Sequence, residues 1–294
     1  MSKPPLRTRP ESREVAELRA LAERQPELSP AAHMQIDLVD AQRRAQSRLT
    51  TPWIDLRDEV IGERLARGER LADFEQLTID WTEARLLVRQ ITDIFRRYDA
   101  IEGSDVAALH DVGRGSHFPM LARLWYDEPL RAIQPGRLVP AADPTVPPAG
   151  ATPEMLGEVL RWALRPFLAR TAEVFQQRAG LEQWQRGYCA VCAGQPELAV
   201  ITSDGSRHLI CGRCQARWLF PTVACPFCNE TSRDQLVSFA TPDGTYRVTA
   251  CRTCQRYLKA LDGRHVNRPP LPALDSIATL PLDALVLQKG FNNG

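Results

Sequence analysis

The chain has 294 residues, of which 44% are hydrophobic and 25% are charged, and its formal net charge is +1. This composition is ordinary for a soluble globular protein and excludes an intrinsically disordered chain, while the length favours two or three domains. The balanced charge argues against a protein that binds nucleic acid or a membrane surface. No apolar run approaches the roughly 18 residues that span a bilayer, and no apolar segment follows the N-terminal charges as in a secretory signal. We therefore expect a cytoplasmic protein.

The first part of the chain carries many helical signals and few strand signals. Apolar residues recur at helical spacing over residues 79–98, with arginine and aspartate on the opposite face. A second helical stretch is predicted over residues 152–178, and Pro166 should kink or break it because proline removes a backbone hydrogen bond. The sequence thus predicts an α-helical domain over residues 1–184.

All 8 cysteines of the chain lie in its last third. They form four pairs with the spacing Cys-x-x-Cys: Cys189 and Cys192, Cys211 and Cys214, Cys225 and Cys228, and Cys251 and Cys254. In a reducing compartment, such pairs indicate metal binding or redox chemistry rather than structural disulfides.

The segment that contains the cysteines is an internal repeat. In each half, two β-favouring runs flank an Asp-Gly turn, at residues 204–205 and 243–244, and a Cys-x-x-Cys pair lies at each end. We predict an α+β protein of several domains, in which the helical domain is followed by two small tandem β modules of the rubredoxin or zinc-ribbon kind. Their predicted bounds are 185–222 and 223–268, and residues 269–294 should form a linker and one short helix.

Four pairs can be combined into two sites in three ways. Combining neighbours along the chain closes the shortest loops, and the sequence lacks the Cys-x-x-Cys-x-Gly-x-Gly repeat that accompanies interleaved sites. Four thiolates suit both structural zinc and rubredoxin-type iron, so the ligand set leaves the metal open. The prediction is two metal ions per chain, with the first held by Cys189, Cys192, Cys211 and Cys214 and the second by Cys225, Cys228, Cys251 and Cys254.

The turns that carry the cysteines also predict a backbone conformation. The residue after the second cysteine of such a turn often has a positive φ, which suits glycine or asparagine. Asn229 fits this position well, whereas Ala193, Gln215 and Gln255 fit it less comfortably. The sequence contains no metalloprotease, P-loop or serine-hydrolase motif, and its 5 histidines show no ligand spacing. We expect no catalytic residues and no enzymatic activity.

Several runs of the last third carry a family resemblance. They are CAVCAGQPELAVI, RHLICGRCQARWLF, CPFC, TYRVTACRTCQRYLKAL and IATLPLDALVLQKGF. With these runs, the chain resembles the formate dehydrogenase accessory proteins of the FdhE type. The resemblance implies a cytoplasmic assembly factor or chaperone, without catalytic activity of its own, that is required for active formate dehydrogenase. It further implies rubredoxin-type iron and binding to the catalytic subunit, which contains molybdenum and selenocysteine, rather than to nucleic acid or a membrane.

Two other functions remain compatible with four Cys-x-x-Cys pairs. A zinc-ribbon adaptor that binds nucleic acid or the transcription machinery would use the same ligands, although the balanced charge argues against it. A thiol oxidoreductase would need a reactive pair beside a βαβ unit, and no such pattern is present.

Overall fold

The N-terminal half of the chain is helical, as predicted. The computed structural model describes residues 11–133, 152–178 and 181–292. Its first seven α-helices are α1 (Arg13–Arg24), α2 (Ser29–Gln46), α3 (Asp58–Arg67), α4 (Trp81–Arg97), α5 (Gly103–Arg114), α6 (Phe118–Ile133) and α7 (Pro153–Arg178). The helix expected over residues 79–98 is α4, and the apolar residues of its predicted stripe, such as Leu87 and Ile91, are fully buried.

Helix α7 runs through the centre of the helical part and is buried on nearly all sides between residues 159 and 175. The expected break at Pro166 is wrong, because the helix continues through it. Proline at this position leaves the carbonyl of Trp162 without its helical N–H partner. The side-chain amide of Gln42, on the neighbouring α2, donates to that carbonyl at 2.8 Å. A tertiary contact thus replaces the lost hydrogen bond.

The C-terminal half forms one sheet of six strands in the order β3-β2-β1-β6-β5-β4. The strands are β1 (Pro196–Ile201), β2 (Arg207–Cys211), β3 (Arg217–Phe220), β4 (Leu236–Ala240), β5 (Tyr246–Cys251) and β6 (Tyr257–Asp262). Both predicted hairpins are present, as β1–β2 and β4–β5. A third antiparallel strand extends each hairpin: β3 pairs with β2, and β6 pairs with β5. Because β1 also pairs in parallel with β6, the two modules share a single sheet.

Two short helices stand at the C-terminal end, where the sequence predicted one. They are α8 (Pro272–Ala278) and α9 (Leu280–Gln288). Leu274 and Ile277 of α8 pack with Leu18 of α1, so this segment returns to the helical half of the molecule. Val286 of α9 packs against Val248 of β5. Among the helices that the structure describes, none combines the length and the apolar character that crossing a membrane requires.

Candidate metal centres

The four Cys-x-x-Cys pairs lie on four tight turns with a common geometry. In each turn, the N–H of the first cysteine donates to the carbonyl five residues later, from Cys189 to Gly194 (2.8 Å), Cys211 to Ala216 (2.9 Å), Cys225 to Glu230 (2.8 Å) and Cys251 to Arg256 (2.8 Å). The predicted positive φ is confirmed at every turn, with 60° at Ala193, 60° at Gln215, 61° at Asn229 and 60° at Gln255. A left-handed conformation costs an L-residue about 1–2 kcal/mol. In this conformation the N–H groups of Ala193 and Gln215 donate to the carbonyls of Cys189 and Cys211, at 2.9 and 3.1 Å, and close their turns.

The eight sulfur atoms form two separate groups, which match the predicted combination of neighbouring pairs. The first cluster is Cys189, Cys192, Cys211 and Cys214, and the second cluster is Cys225, Cys228, Cys251 and Cys254. Within each cluster all Sγ atoms lie within 4.8 Å of one another. The Sγ–Sγ distance is 3.5 Å for Cys189–Cys214 and Cys192–Cys211, and 3.6 Å for Cys225–Cys254 and Cys228–Cys251.

These distances fit metal coordination rather than disulfides. Two bonded sulfurs lie about 2.05 Å apart. Four sulfurs arranged as a tetrahedron around an ion at about 2.3 Å lie about 3.8 Å from one another. The distances of 3.5 and 3.6 Å are close to the second geometry, and all eight thiols are free. Each cluster could therefore hold one metal ion, and no histidine nitrogen of the described residues joins either cluster.

The first cluster is shut off from solvent. The exposed fraction of its four cysteines is at most 1%. Burial raises the pKa values of the Cys189 and Cys214 thiols well above the ordinary value of a cysteine, because a thiolate loses its hydration in the buried cluster. A divalent ion that replaced the thiol protons would compensate half of the charge of four buried thiolates.

The helical half of the molecule holds the first turn of this cluster through the backbone. The N–H groups of Leu71 and Ala72 donate to the carbonyls of Ala190 and Val191, at 2.8 and 3.0 Å. Tyr126 of α6 fixes this loop in turn, since its hydroxyl donates to the carbonyl of Ala72 at 2.8 Å. Residues more than one hundred positions away thus set the position of the turn between Cys189 and Cys192.

The other turn of the first cluster is held by arginines. Pro129 lies inside α6 and leaves the carbonyl of Trp125 without a helical partner. Arg213, which lies between Cys211 and Cys214, donates to that carbonyl at 3.0 Å, and its guanidinium stacks over the Trp125 ring at 4.0 Å. Arg165 of α7 donates to the carbonyl of Gly212 at 2.7 Å. Both turns of the first cluster are therefore fastened to the helical half of the molecule, the first through a loop and the second through α6 and α7.

The second cluster lies at the surface. Cys225 and Cys251 are buried, whereas Cys228 and Cys254 reach solvent. A side-chain hydrogen bond joins its two turns. Glu230 follows the first turn and accepts a hydrogen bond at 2.9 Å from the hydroxyl of Thr253, which lies in the second turn.

Sequence reasoning found all eight cysteines and their grouping but missed the residues that fasten them. Arg213 could have been predicted from the sequence to lie near the site, because it lies between the two cysteines of a pair. The partners of the turns in the helical half, such as Leu71, Trp125 and Arg165, carry no motif. Only the tertiary structure brings them to the cluster.

The fold and the clusters together define a class of protein: a helical body that carries one sheet with two rubredoxin-like or zinc-ribbon-like four-cysteine clusters. Comparison with known proteins shows which proteins this chain is similar to. The chain is 31% identical to the FdhE homolog of Haemophilus ducreyi over 134 residues, which are 44% of this chain and 43% of the relative. It is 30% identical to the FdhE protein of Escherichia coli over 134 residues, 44% of this chain and 43% of that protein. The matched segment thus spans less than half the length of either relative.

The fold likeness covers nearly the whole chain. The crystal structure of the FdhE protein from Pseudomonas aeruginosa matches it with a TM-score of 0.65, over 97% of this chain and 95% of that chain, at 20% identity. At this identity the match shows the fold alone. No protein-family model matches the chain. The resemblance to the FdhE-type proteins, which the sequence runs indicated, is confirmed by these curated relatives over the matched segment, and the crystal structure shows the same fold.

Proposed function

We propose that the chain belongs to the FdhE-type family and is a cytoplasmic accessory factor required for active formate dehydrogenase. In this proposal, it binds the catalytic subunit of that enzyme and carries two metal ions on its eight cysteines. The chain itself catalyses no reaction. The observation that carries the proposal is the presence of two four-cysteine clusters in a fold that matches an FdhE protein over 97% of the chain.

The donor set supports rubredoxin-type iron or zinc at both clusters. Both metals accept four thiolates in a tetrahedron, and the free sulfurs are already spaced for it. One dication with four thiolates leaves a net charge of −2, which in the first cluster lies beside the guanidinium of Arg213. Iron would in addition supply one-electron redox chemistry.

The different surroundings of the clusters support different roles. The first cluster, with its turns fastened to α6, α7 and the loop at Leu71, would hold the sheet on the helical domain. The second cluster, with Cys228 and Cys254 at the surface, is the one that a partner protein can reach. We assign contact with the catalytic subunit to the side of the molecule that carries the second cluster.

Two measurements test the proposal. The tagged chain should co-purify with the catalytic subunit of formate dehydrogenase from the same organism, and deletion of its gene should abolish formate dehydrogenase activity. Elemental analysis with a visible absorption spectrum should find two ions per chain, and a ferric tetrathiolate would be coloured whereas zinc would not. Salt-dependent binding to DNA or RNA, with unchanged enzyme activity in the deletion strain, would instead support the nucleic-acid adaptor.

A further inference from the structure

The two clusters are linked to each other through side chains at the boundary between the modules. Arg256 follows the last turn of the second cluster, and its guanidinium donates to the side-chain carbonyl of Gln195. Gln195 follows the first turn of the first cluster. Gln195 lies three residues after Cys192 and Arg256 two residues after Cys254, so the link joins the first turn of the first cluster to the last turn of the second cluster.

Arg256 contacts both turns of the second cluster. Its carbonyl accepts the hydrogen bond from the N–H of Cys251, at 2.8 Å, that closes the last turn. Its guanidinium lies over the ring of Phe227 at 3.7 Å, and Phe227 stands between Cys225 and Cys228. The orientation of this arginine therefore depends on how both turns are placed.

Gln195 is connected in the same way to both turns of the first cluster. Its carbonyl accepts at 3.0 Å from the N–H of Gly212, which lies between Cys211 and Cys214. The preceding residue, Gly194, accepts from the N–H of Cys189 at 2.8 Å. A Cβ on Gly194 would lie 3.0 Å from the sulfur of Cys211, so this segment packs directly on the cluster.

The backbones of the two modules also touch at a second point. Gly187 lies just before the first cluster, and a Cβ placed on it would lie 1.8 Å from the carbonyl oxygen of Pro226. Pro226 belongs to the first turn of the second cluster. Such close packing leaves little room for one cluster to rearrange without displacing the other.

We propose that the contact between Arg256 and Gln195 makes the two clusters bind metal cooperatively. The inference rests on the proposed metal binding and deepens it. A metal ion at the second cluster replaces the thiol protons and leaves a charge of −2, which attracts the Arg256 guanidinium and favours its place over Phe227. In that place, Arg256 holds Gln195 and, through it, both turns of the first cluster. Because binding free energies are reciprocal, an ion at the first cluster strengthens the second equally.

The test measures zinc release from the full-length chain to a chromophoric chelator. Zinc-loaded wild-type protein should release a fast ion from the exposed second cluster and a slow ion from the buried first cluster. Cys228→Ser removes the ion of the second cluster and should accelerate release from the first about fivefold, which is the lower end of typical coupling of affinities between sites when that coupling acts on dissociation. Arg256→Met should keep both ions at equilibrium and give a similar acceleration. The double variant should be no faster than Cys228→Ser alone.

Two further variants serve as controls for this result. Gln195→Ala breaks the same link from the other side while its backbone bond to Gly212 can persist, so it should reproduce Arg256→Met. Arg252→Met changes an exposed arginine within the last turn and should leave the slow rate unchanged. Unchanged slow release in both Arg256→Met and Gln195→Ala, with two ions bound, would overturn the coupling and leave the metal sites standing. A wild-type chain with fewer than two ions would contradict the proposed metal binding itself.

Discussion

The two clusters have the same ligands and the same turns, but they lie in opposite surroundings. The cysteines of the first cluster are at most 1% exposed, and the helical half holds both of its turns, one through the loop at Leu71 and Ala72 and the other through α6 and α7. The second cluster leaves Cys228 and Cys254 at the surface. An identical motif can therefore support a structural role at one place and an accessible site at another. The difference comes from elements outside the motif, and variants in those elements can test it.

The largest effect is expected when a buried ligand of each cluster is removed in turn. Cys211→Ser should unfold the sheet and separate it from the helical domain, because a structural zinc site supplies on the order of 10 kcal/mol, comparable with the whole stability of a domain. Cys251→Ser is the matched variant, since the two cysteines are 0% and 1% exposed. It should disturb mainly β4, β5 and their turns.

Unfolding followed by circular dichroism at 222 nm distinguishes the two variants, because that signal reports mainly the helical domain. We expect Cys211→Ser to lower the helical melting temperature strongly and Cys251→Ser to lower it little. Equal losses in the two variants would contradict the assignment of the fastening role to the first cluster.

The next largest effect concerns the buried ion pair that supports the loop on the first cluster. Arg70 precedes Leu71 and pairs with Asp127 of α6 at 2.5 Å, and both side chains are only about one-twentieth exposed. Asp127→Asn would leave the buried guanidinium without its main compensating charge, which typically costs about 3–5 kcal/mol. Urea unfolding measures this loss.

A surface ion pair provides the control for that variant. Arg48 and Glu83 lie 2.8 Å apart, but the arginine side chain is 57% exposed. Glu83→Gln should cost at most about 1 kcal/mol, because water screens the charges. If both variants cost the same, the support of the first cluster by α6 does not depend on this buried pair.

Much of the candidate site could be predicted from local sequence. The spacing of Cys189 and Cys192, and of the three pairs that follow, specifies tight turns, and the Asp-Gly steps specify which runs form hairpins. Short loops then determine which pairs meet. All of these signals extend over fewer than about 40 residues, and loop closure favours such contacts.

The remaining features depend on contacts between distant residues. The parallel pairing of β1 with β6, for example at Ala199 and Ala260, joins runs that look no different from other apolar runs of the sheet. Pro166 breaks no helix because Gln42, far away in the chain, satisfies the carbonyl that it frees. The burial of the first cluster similarly follows from the loop at Leu71, which carries no motif.

The smallest effect tests the arginine that fastens the second turn of the first cluster. Arg213→Met would leave the carbonyls of Trp125 and Tyr126, which accept from Arg213 at 3.0 and 3.2 Å, without this donor. Hydrogen bonds to charged groups contribute about 1.5–3 kcal/mol, so the expected loss in the free energy of unfolding is about 2 kcal/mol. Methionine keeps much of the apolar stem, so the change removes the guanidinium with its hydrogen bonds and its stacking on Trp125.

The same urea titration on Arg252→Met gives the comparison with the second cluster. Arg252 also stands between two cysteines of a pair, but its side chain is exposed, and we expect a change below about 0.5 kcal/mol, as for most surface substitutions. If Arg213→Met lowers the free energy of unfolding more than Arg252→Met does, the contact of Arg213 with α6 holds the second turn of the first cluster. Indistinguishable losses would mean that the backbone bonds at Leu71 and Ala72, with Arg165, suffice to hold the first cluster on the helices.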